Sequence, residues 1–233
     1  MNLEHLLEAL SLQSERNGAL RFLESVVVDT DERLVGLLAG MISEPASIED
    51  THSFALLIAD LGAESFITPL IESISGATPA RSVWLADYMY ALGSLLMERE
   101  ELYGAEESFV HLLGNWLLST GGGEISWKAG YIMAELQHPG TREYLLRGAA
   151  DKNLFHQTRI ACIRGIMNQY PEEATPVLER LASDSDDYVR EAVCDARESL
   201  NRRRRHNRAL QATAKSGPRR SARSLCSESG DDQ

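Results

Sequence analysis

The sequence predicts an all-α fold: an α-solenoid built from antiparallel helix pairs, followed by a disordered C-terminal tail. Aliphatic residues dominate the apolar fraction, whereas aromatic residues make up 6% of the chain and only seven of its 233 residues are proline. This composition favours helices packed on helices over a β-sandwich. Two further observations support the class: one helical pattern recurs in a fixed register, and the composition changes abruptly after Leu200.

Amphipathic helices are expected in the first 44 residues, where they cap the array. Their predicted ranges are 3–12, 18–28 and 31–42. In the first range leucines recur at helical spacing on one face. Thr30 or Asp31 can cap the third helix, and the pair Glu44-Pro45 stops its continuation.

Beyond residue 45, four stretches superpose without gaps. They cover residues 82–94, 125–137, 156–168 and 187–199. Successive stretches are separated by 43, 31 and 31 residues, and a fifth stretch, starting at His52, aligns 31 residues ahead of the first. One aligned position holds only small residues, which let neighbouring helices approach closely. These are Ala91, Ala134, Gly165 and Ala196.

Each stretch is predicted to be the second helix of an antiparallel pair. The mates are expected over residues 65–75, 106–118, 141–150 and 174–182. Helix pairs that repeat with a period in the thirties are typical of an α-solenoid.

The segment from Leu181 to Val193 reads LASDSDDYVREAV. It resembles the HEAT repeat of the PBS-lyase type, in which an Asp-rich turn is followed by Val-Arg and small residues. The resemblance covers about residues 50–200. In HEAT families an Asp and an Arg form a ladder that links repeats, which implies this role for Asp187 and Arg190.

Other repeats match the pattern less completely. Lys128 and Arg159 occupy the position of Arg190, whereas Leu85 replaces the cation and Phe155-His156 replaces the acidic turn. The predicted organisation is therefore capping helices over residues 1–44, HEAT-like repeats over 45–200, and a basic disordered tail over 201–233.

The resemblance implies that the second helix of each pair lines a concave surface. On those helices a stripe of residues at i, i+4, i+7 and i+11 has the mixed composition of a contact surface. The predicted protein-binding residues are Asp87, Tyr90, Ser94, Met133, Gln137, Arg164, Asn168, Tyr188, Asp195 and Ser199. The alternative interpretation is an ordinary solvated helix face.

The net charge of −12 is divided unevenly along the chain. Residues 1–200 carry 14 Lys and Arg against 32 Asp and Glu, a net −18, whereas residues 201–233 carry nine against three, a net +6. Nucleic-acid affinity comes mainly from clustered Lys and Arg that release counterions, so the acidic body is expected to repel a phosphate backbone. A basic protein is the expected partner of this body.

The tail begins with a run of four arginines and contains almost no large apolar residues. The run consists of Arg202, Arg203, Arg204 and Arg205. Such a segment cannot bury enough surface to offset its ordering entropy, although the first turn can extend the last helix. Four interpretations stay open: binding of nucleic acid, an import address, folding back onto the acidic body, or simple solvation.

No catalytic, cofactor-binding or metal-binding residues are predicted. Cys162, Cys194 and Cys226 lack metal-type spacing, as do the scattered histidines. The triplet Gly121–Gly123 follows a helix rather than a strand, so it is interpreted as an inter-repeat loop.

Four aromatic residues share aligned positions on the repeated helices. These are Trp84, Tyr88, Trp127 and Tyr131. A ligand box is one interpretation. The equivalent positions in the last stretch are Val189 and Val193, however, so a repeated packing face is favoured.

The favoured hypothesis is a non-enzymatic protein that binds a basic protein through its concave face. A specific version is a bacterial immunity or neutralising protein, because small acidic proteins are suited to capping basic nuclease toxins. The resemblance also admits an enzyme, since HEAT-like arrays include alkylpurine DNA glycosylases and lyase-like proteins that handle bilin pigments. A scaffold with several stable partners is a third hypothesis.

The start of the chain lacks the cationic residues and the apolar run of a signal peptide. No stretch of the sequence approaches the length needed to span a membrane. We therefore expect a cytoplasmic, monomeric protein without a membrane segment.

Overall fold

The computed structural model describes residues 3–12, 16–24, 31–119 and 123–215. This part of the chain is mostly helical and contains twelve α-helices. They are α1 (Leu3–Ser11), α2 (Arg16–Glu24), α3 (Glu32–Ile42), α4 (Thr51–Leu61), α5 (Ile67–Ser75), α6 (Leu85–Met97), α7 (Glu107–Leu117), α8 (Gly123–Met133), α9 (Thr141–Ala150), α10 (His156–Gln169), α11 (Pro171–Leu181) and α12 (Asp187–Lys215). Among the described helices, none is long and apolar enough to cross a membrane.

The N-terminal helices begin and end close to the predicted positions. Asp31 caps α3 by accepting a hydrogen bond from the backbone N–H of Arg33 at 2.9 Å, as expected of an N-cap carboxylate. A short 3₁₀ turn over Pro45–Ser47 follows, so the chain does not continue α3. The predicted second helix ends at Glu24 in the structure, and residues 25–28 lie outside the described part.

The helices form two layers. Each even-numbered helix from α2 to α10 packs against the next even-numbered one, and each odd-numbered helix from α1 to α7 packs against the next odd-numbered one. The principal contacts join helices that are adjacent or next but one along the chain. Buried apolar side chains from both layers form one continuous cluster that runs from Leu6 to Leu200.

The predicted spacing recurs in the polar contacts between helices. Arg142 pairs with Glu173, 31 residues later, and the Ser73 hydroxyl donates to the Ile42 carbonyl, 31 residues earlier. Lys128 donates to the carbonyl of Ala86 across 42 residues, close to the longer predicted step of 43. These three contacts therefore join residues that are about one predicted repeat apart.

The aligned small residues lie where two helices approach closely. A Cβ added to Gly165 on α10 would lie 3.1 Å from the Cα of Ala134, the equivalent small residue just after α8. It would also lie 2.9 Å from both terminal carbons of Leu145. These distances agree with the packing role predicted for the small position.

A two-residue strand pair interrupts the all-helical pattern. The stretch at 125–137 was expected to be helical throughout, but α8 ends at Met133 and the strand β2 (Leu136–Gln137) pairs in parallel with β1 (Tyr103–Gly104). The N–H of Tyr103 also donates to the carbonyl of Glu135 at 3.0 Å. The segments that follow α6 and α8 thus pair with each other, and their backbone hydrogen bonds replace those that would continue α8.

A buried ion pair links α10 to the turn between α11 and α12. The guanidinium of Arg159 donates two hydrogen bonds to Asp184, at 3.0 and 2.6 Å. Asp187, predicted to form this ladder, instead pairs with Arg190 within its own helix. The acidic partner is therefore Asp184, because the turn before α12 directs that carboxylate inward.

The last helix is longer than predicted. Residues 201–233 were expected to be disordered beyond one turn, but α12 continues to Lys215. Leu200 is buried, and the Arg203 guanidinium donates to the Met167 carbonyl near the end of α10 at 3.4 Å, so the body supports the helix past residue 200. Residues 216–233, including Cys226, lie outside the described part.

Candidate protein-binding surface

Nine of the ten predicted contact residues lie on even-numbered helices, and Gln137 lies on β2. Their exposure differs widely. The exposed ones are Tyr90, Gln137, Tyr188 and Asp195, the half-buried ones are Asp87, Ser94, Arg164, Asn168 and Ser199, and Met133 is fully buried.

Residues on α8 correct the prediction most clearly. Met133 is inaccessible, because α8 is packed between α6 and α10 and against α7. Ser126 and Gly130, which precede Met133 by seven and three residues on the same helix face, are buried as well. The half-exposed residues of this helix include Trp127 and Tyr131, which were expected to be core. The open side of α8 is therefore rotated away from the predicted stripe.

The aligned residues on α6 behave differently. Tyr88 is fully buried against Phe54 and Trp84, as a core position should be. Burial raises the pKa of the Tyr88 phenol above its ordinary value. The packing interpretation thus holds for Tyr88, while Trp84 is only half-buried.

Two residues of α4 hold Asp87 in place. The hydroxyl of Thr51 donates to Oδ2 of Asp87 at 2.8 Å, and Nδ1 of His52 lies 3.1 Å from Oδ1. The Asp87 carboxylate thus has a fixed orientation. Sequence reasoning missed both α4 residues, although their separation of 35 and 36 residues from Asp87 is close to one repeat.

Lys128 supports the exposed ring of Tyr90 from within. Its ammonium donates to the carbonyl of Ala86 at 2.8 Å and pairs with Glu124 at 2.7 Å. The same nitrogen lies 5.7 Å from the centroid of the Tyr90 ring and 5.8 Å from that of Trp127, within cation–π range. The rings of Tyr90 and Trp127 therefore both contact the buried ammonium of Lys128.

Arg164 is held by three contacts on α8 and the segment after it. Its guanidinium lies 2.9 Å from a carboxylate oxygen of Glu135, donates to the Tyr131 hydroxyl at 3.2 Å, and stacks 5.1 Å from the centre of that ring. Burial raises the pKa of Glu135, and the charge of Arg164 opposes this rise. The result is a partly exposed arginine with a fixed orientation.

A stack of three rings lies at the start of α10 and α12. The ring of His156 lies 4.2 Å from that of Phe155 and 4.6 Å from that of Tyr188, centroid to centroid. Phe155 is 50% exposed and Tyr188 is 61% exposed. We call these three residues the ring stack. Sequence reasoning identified only Tyr188, because Phe155-His156 was interpreted merely as a departure from the acidic turn.

An open cleft of about 640 Å³ lies beside the ring stack. It separates the starts of α8 and α10 and is lined by Glu124, Trp127, Asn153, Phe155 and Gln157, among others. Aromatic and polar side chains thus border one concave region that continues the exposed rings.

A second cleft, of about 470 Å³, lies at the opposite ends of α4 and α6. Four glutamates and one arginine line it. They are Glu64, Glu98, Glu100, Glu101 and Arg99, which pairs with Glu64. We call this the acidic cleft. The carboxylate-rich run at 98–101 was the sequence signal for it, and it was not recognised.

The described residues do not bring nucleophilic or metal-binding groups together. Burial raises the pKa of the Cys162 thiol to about 12, and Cys194 is exposed on α12. Within the described ranges, no three His, Cys, Asp or Glu side chains converge as metal ligands would. Gly123 begins α8, while residues 120–122 lie outside the described part.

Comparison with known proteins adds no relative: no protein-family model, no curated protein and no solved structure matches the chain.

Proposed function

We propose that this chain is a non-enzymatic, HEAT-like α-solenoid that binds a basic protein through the open face of its even-numbered helices. The observation that carries the proposal is the preorganised face itself. Asp87, Arg164 and Tyr188 each hold a fixed orientation through contacts with a neighbouring helix, and each keeps some surface open. Preorganised side chains lose little conformational entropy on binding.

The helix packing supports the solenoid part of the proposal. Two layers of helices, contacts between near neighbours, and polar links at repeat spacing are the properties of a stacked array. The second helix of each pair supplies the face, as the HEAT resemblance implies.

The charge of the body supports a basic partner. Residues 1–200 carry a net −18, and the acidic cleft adds a local concentration of carboxylates at one end of the same helices. Such a field accelerates encounter with a cationic protein and disfavours acidic ones. Exposed aromatic rings then supply the contacts that dominate binding energy at protein interfaces.

The specific version of the proposal is a neutralising or immunity-type role against a basic nuclease. It rests on charge and on the match between a small acidic body and a cationic target. A direct assay is inhibition of the nuclease activity of the captured partner by stoichiometric amounts of this chain.

The decisive experiment is capture of partners from the native host with matched surface variants, followed by measurement of Kd with the purified partner. Tyr90→Ala and Tyr188→Ala are each expected to weaken binding by about 2 kcal/mol or more if the ring is an anchor. Two double variants that remove the same charge are then compared. The first combines Asp87→Asn and Asp195→Asn on the open face, and the second combines Glu143→Gln and Glu172→Gln on the odd-numbered helices. The proposal would be contradicted if both double variants lost the same affinity, or if none of the four substitutions on the open face changed the affinity.

A further inference from the structure

The second half of α12 extends past the helix that supports it. The two helices begin at the same level, because His156 of α10 stacks on Tyr188 of α12. Near the other end of α10, Arg203 contacts the Met167 carbonyl. Since α10 has 14 residues and α12 has 29, the remaining 15 residues extend about 22 Å beyond α10 at 1.5 Å per residue.

In this extension, residues 201–215, all charged residues are cationic. It contains six cationic residues and no Asp or Glu. They are Arg202, Arg203, Arg204, Arg205, Arg208 and Lys215. Arg202, Arg203 and Arg205 are exposed.

We propose that the extension of α12 binds the phosphate backbone of a nucleic acid. Five of the six cations are arginines, whose planar guanidinium pairs with phosphate oxygens in a bidentate manner. Like charges three and four residues apart on a helix repel one another, and a polyanion removes that repulsion. Binding and helix stability therefore support each other in this segment.

An anionic membrane fits the segment less well. Interfacial helices present a broad apolar face with large residues such as Trp, Phe and Leu. Between residues 201 and 215, Leu210 is the single large apolar residue. Adsorption to lipid would then depend on charge alone.

The acidic body does not prevent the interaction. Its net charge of −18 repels phosphates, but mobile ions screen this field over about 8 Å at physiological ionic strength. Arg202 to Arg205 lie within about 8 Å of the end of α10, where the local charge of the arginines themselves opposes the field of the body, whereas Arg208 and Lys215 lie beyond the screening distance. Contact is thus confined to residues 201–215 of α12, and the predicted contact residues of the open face, the last of which is Ser199, stay free for a protein partner.

The test is fluorescence anisotropy of a short labelled DNA duplex and of a labelled single-stranded RNA with the full chain at several salt concentrations. If six phosphates are contacted, the affinity should fall about 10³-fold between about 50 and about 200 mM salt. Arg202→Gln, Arg204→Gln, Arg205→Gln and Arg208→Gln, combined in one variant, should reduce the slope of log affinity against log salt by about 0.9 per lost duplex contact. Arg203 is left intact because it contacts the body.

Two controls separate this outcome from general effects of charge or folding. The first replaces four exposed body cations by glutamine, at Arg81, Arg147, Lys152 and Arg180, and should bind the probes like the parent chain. The second replaces the same four α12 arginines by lysine, which keeps the charge and should keep most of the salt slope. Circular dichroism checks that all variants fold alike.

Several results would overturn the inference. They are no anisotropy change at low salt, equal binding by the glutamine variant, or equal loss in the body control. Salt-sensitive self-association without nucleic-acid binding would show instead that the extension docks on the acidic body of a second copy. Binding to vesicles of anionic lipid without binding to either probe would point to a membrane.

Discussion

Arg159 and Asp184 form an ion pair that excludes almost all water, with side chains only 3% and 2% exposed. The Arg159 guanidinium also donates to the carbonyl of Ala149 at 3.2 Å. Within the pair, charge is balanced and the geometry is bidentate, which offsets the cost of desolvation. Loss of one partner would leave an uncompensated buried charge.

Asp184→Asn is therefore expected to lower the free energy of unfolding by about 3–5 kcal/mol. Urea denaturation monitored by circular dichroism measures the change. The exposed pair Arg147–Glu143 serves as the control, since an exposed ion pair contributes about 1 kcal/mol or less. A change of that small size at Asp184 would contradict the buried-pair interpretation.

The same pair makes stability sensitive to acid. Hydrogen bonds from Arg159 lower the pKa of Asp184 from 3.8 to about 2 in the folded protein. A lowered folded pKa means that the stabilisation is complete above about pH 4 and disappears as the pH falls through about 2. Unfolding curves measured between about pH 4 and about pH 2 should show this loss of stability in the parent chain and not in Asp184→Asn.

At the scale of helices, close approach depends on small residues in register. Gly165 of α10 and Ala134 after α8 hold aligned positions in two of the superposed stretches, and they meet across the interface. Nothing lies within 4 Å of the Cβ that would be added to Gly36, which lies inside α3. Substitution of Gly165 therefore tests both packing and helix propensity, whereas substitution of Gly36 tests helix propensity alone.

Gly165→Ala is expected to destabilise the protein, because overpacking costs about 1–3 kcal/mol and exceeds the gain of up to about 1 kcal/mol in helix propensity. Gly36→Ala should stabilise it by up to about 1 kcal/mol. Thermal or urea unfolding of both variants gives the comparison. Stabilisation by both substitutions would show that α8 and α10 are not tightly packed at this level.

At the scale of the whole molecule, stability should accumulate from neighbour to neighbour. The principal contacts join helices that are adjacent or next but one, which is the pattern of a one-dimensional array. In the proposed solenoid, the continuous apolar cluster is a series of local interfaces rather than a single centre.

Deletion of residues 171–233, which removes α11 and α12, should leave the preceding helices folded with a lower melting temperature. The deletion exposes the side of α10 that packs against α11 and α12, whereas the interfaces among helices α1 to α9 keep all their residues. Circular dichroism and limited proteolysis detect the retained helices. Global loss of helical signal would argue for one cooperative core.

Net charge acts at the same scale. With −18 on residues 1–200, the association rate constant with the captured basic partner should fall by about 10- to 10³-fold from low to high salt. Stopped-flow fluorescence measures this dependence, and the dissociation rate should change much less. An association rate independent of salt would rule out electrostatic steering.

The amino-acid sequence by itself determined the helical class and the approximate helix positions. These follow from periodic apolar residues, caps such as Asp31 and aligned small residues, all of which act locally or recur in register. Because of that recurrence, even contacts between helices 31 residues apart could be anticipated.

Only the tertiary structure decided which side of each helix stays open. Met133 and Tyr131 are two residues apart on α8, and packing between α6 and α10 buries the first while leaving the second half-exposed. A rotation of one helix by part of a turn exchanges such residues without changing the sequence pattern. The choice of Asp184 over Asp187, the ring stack and the length of α12 likewise depend on neighbours distant in sequence, so local periodicity could not specify them.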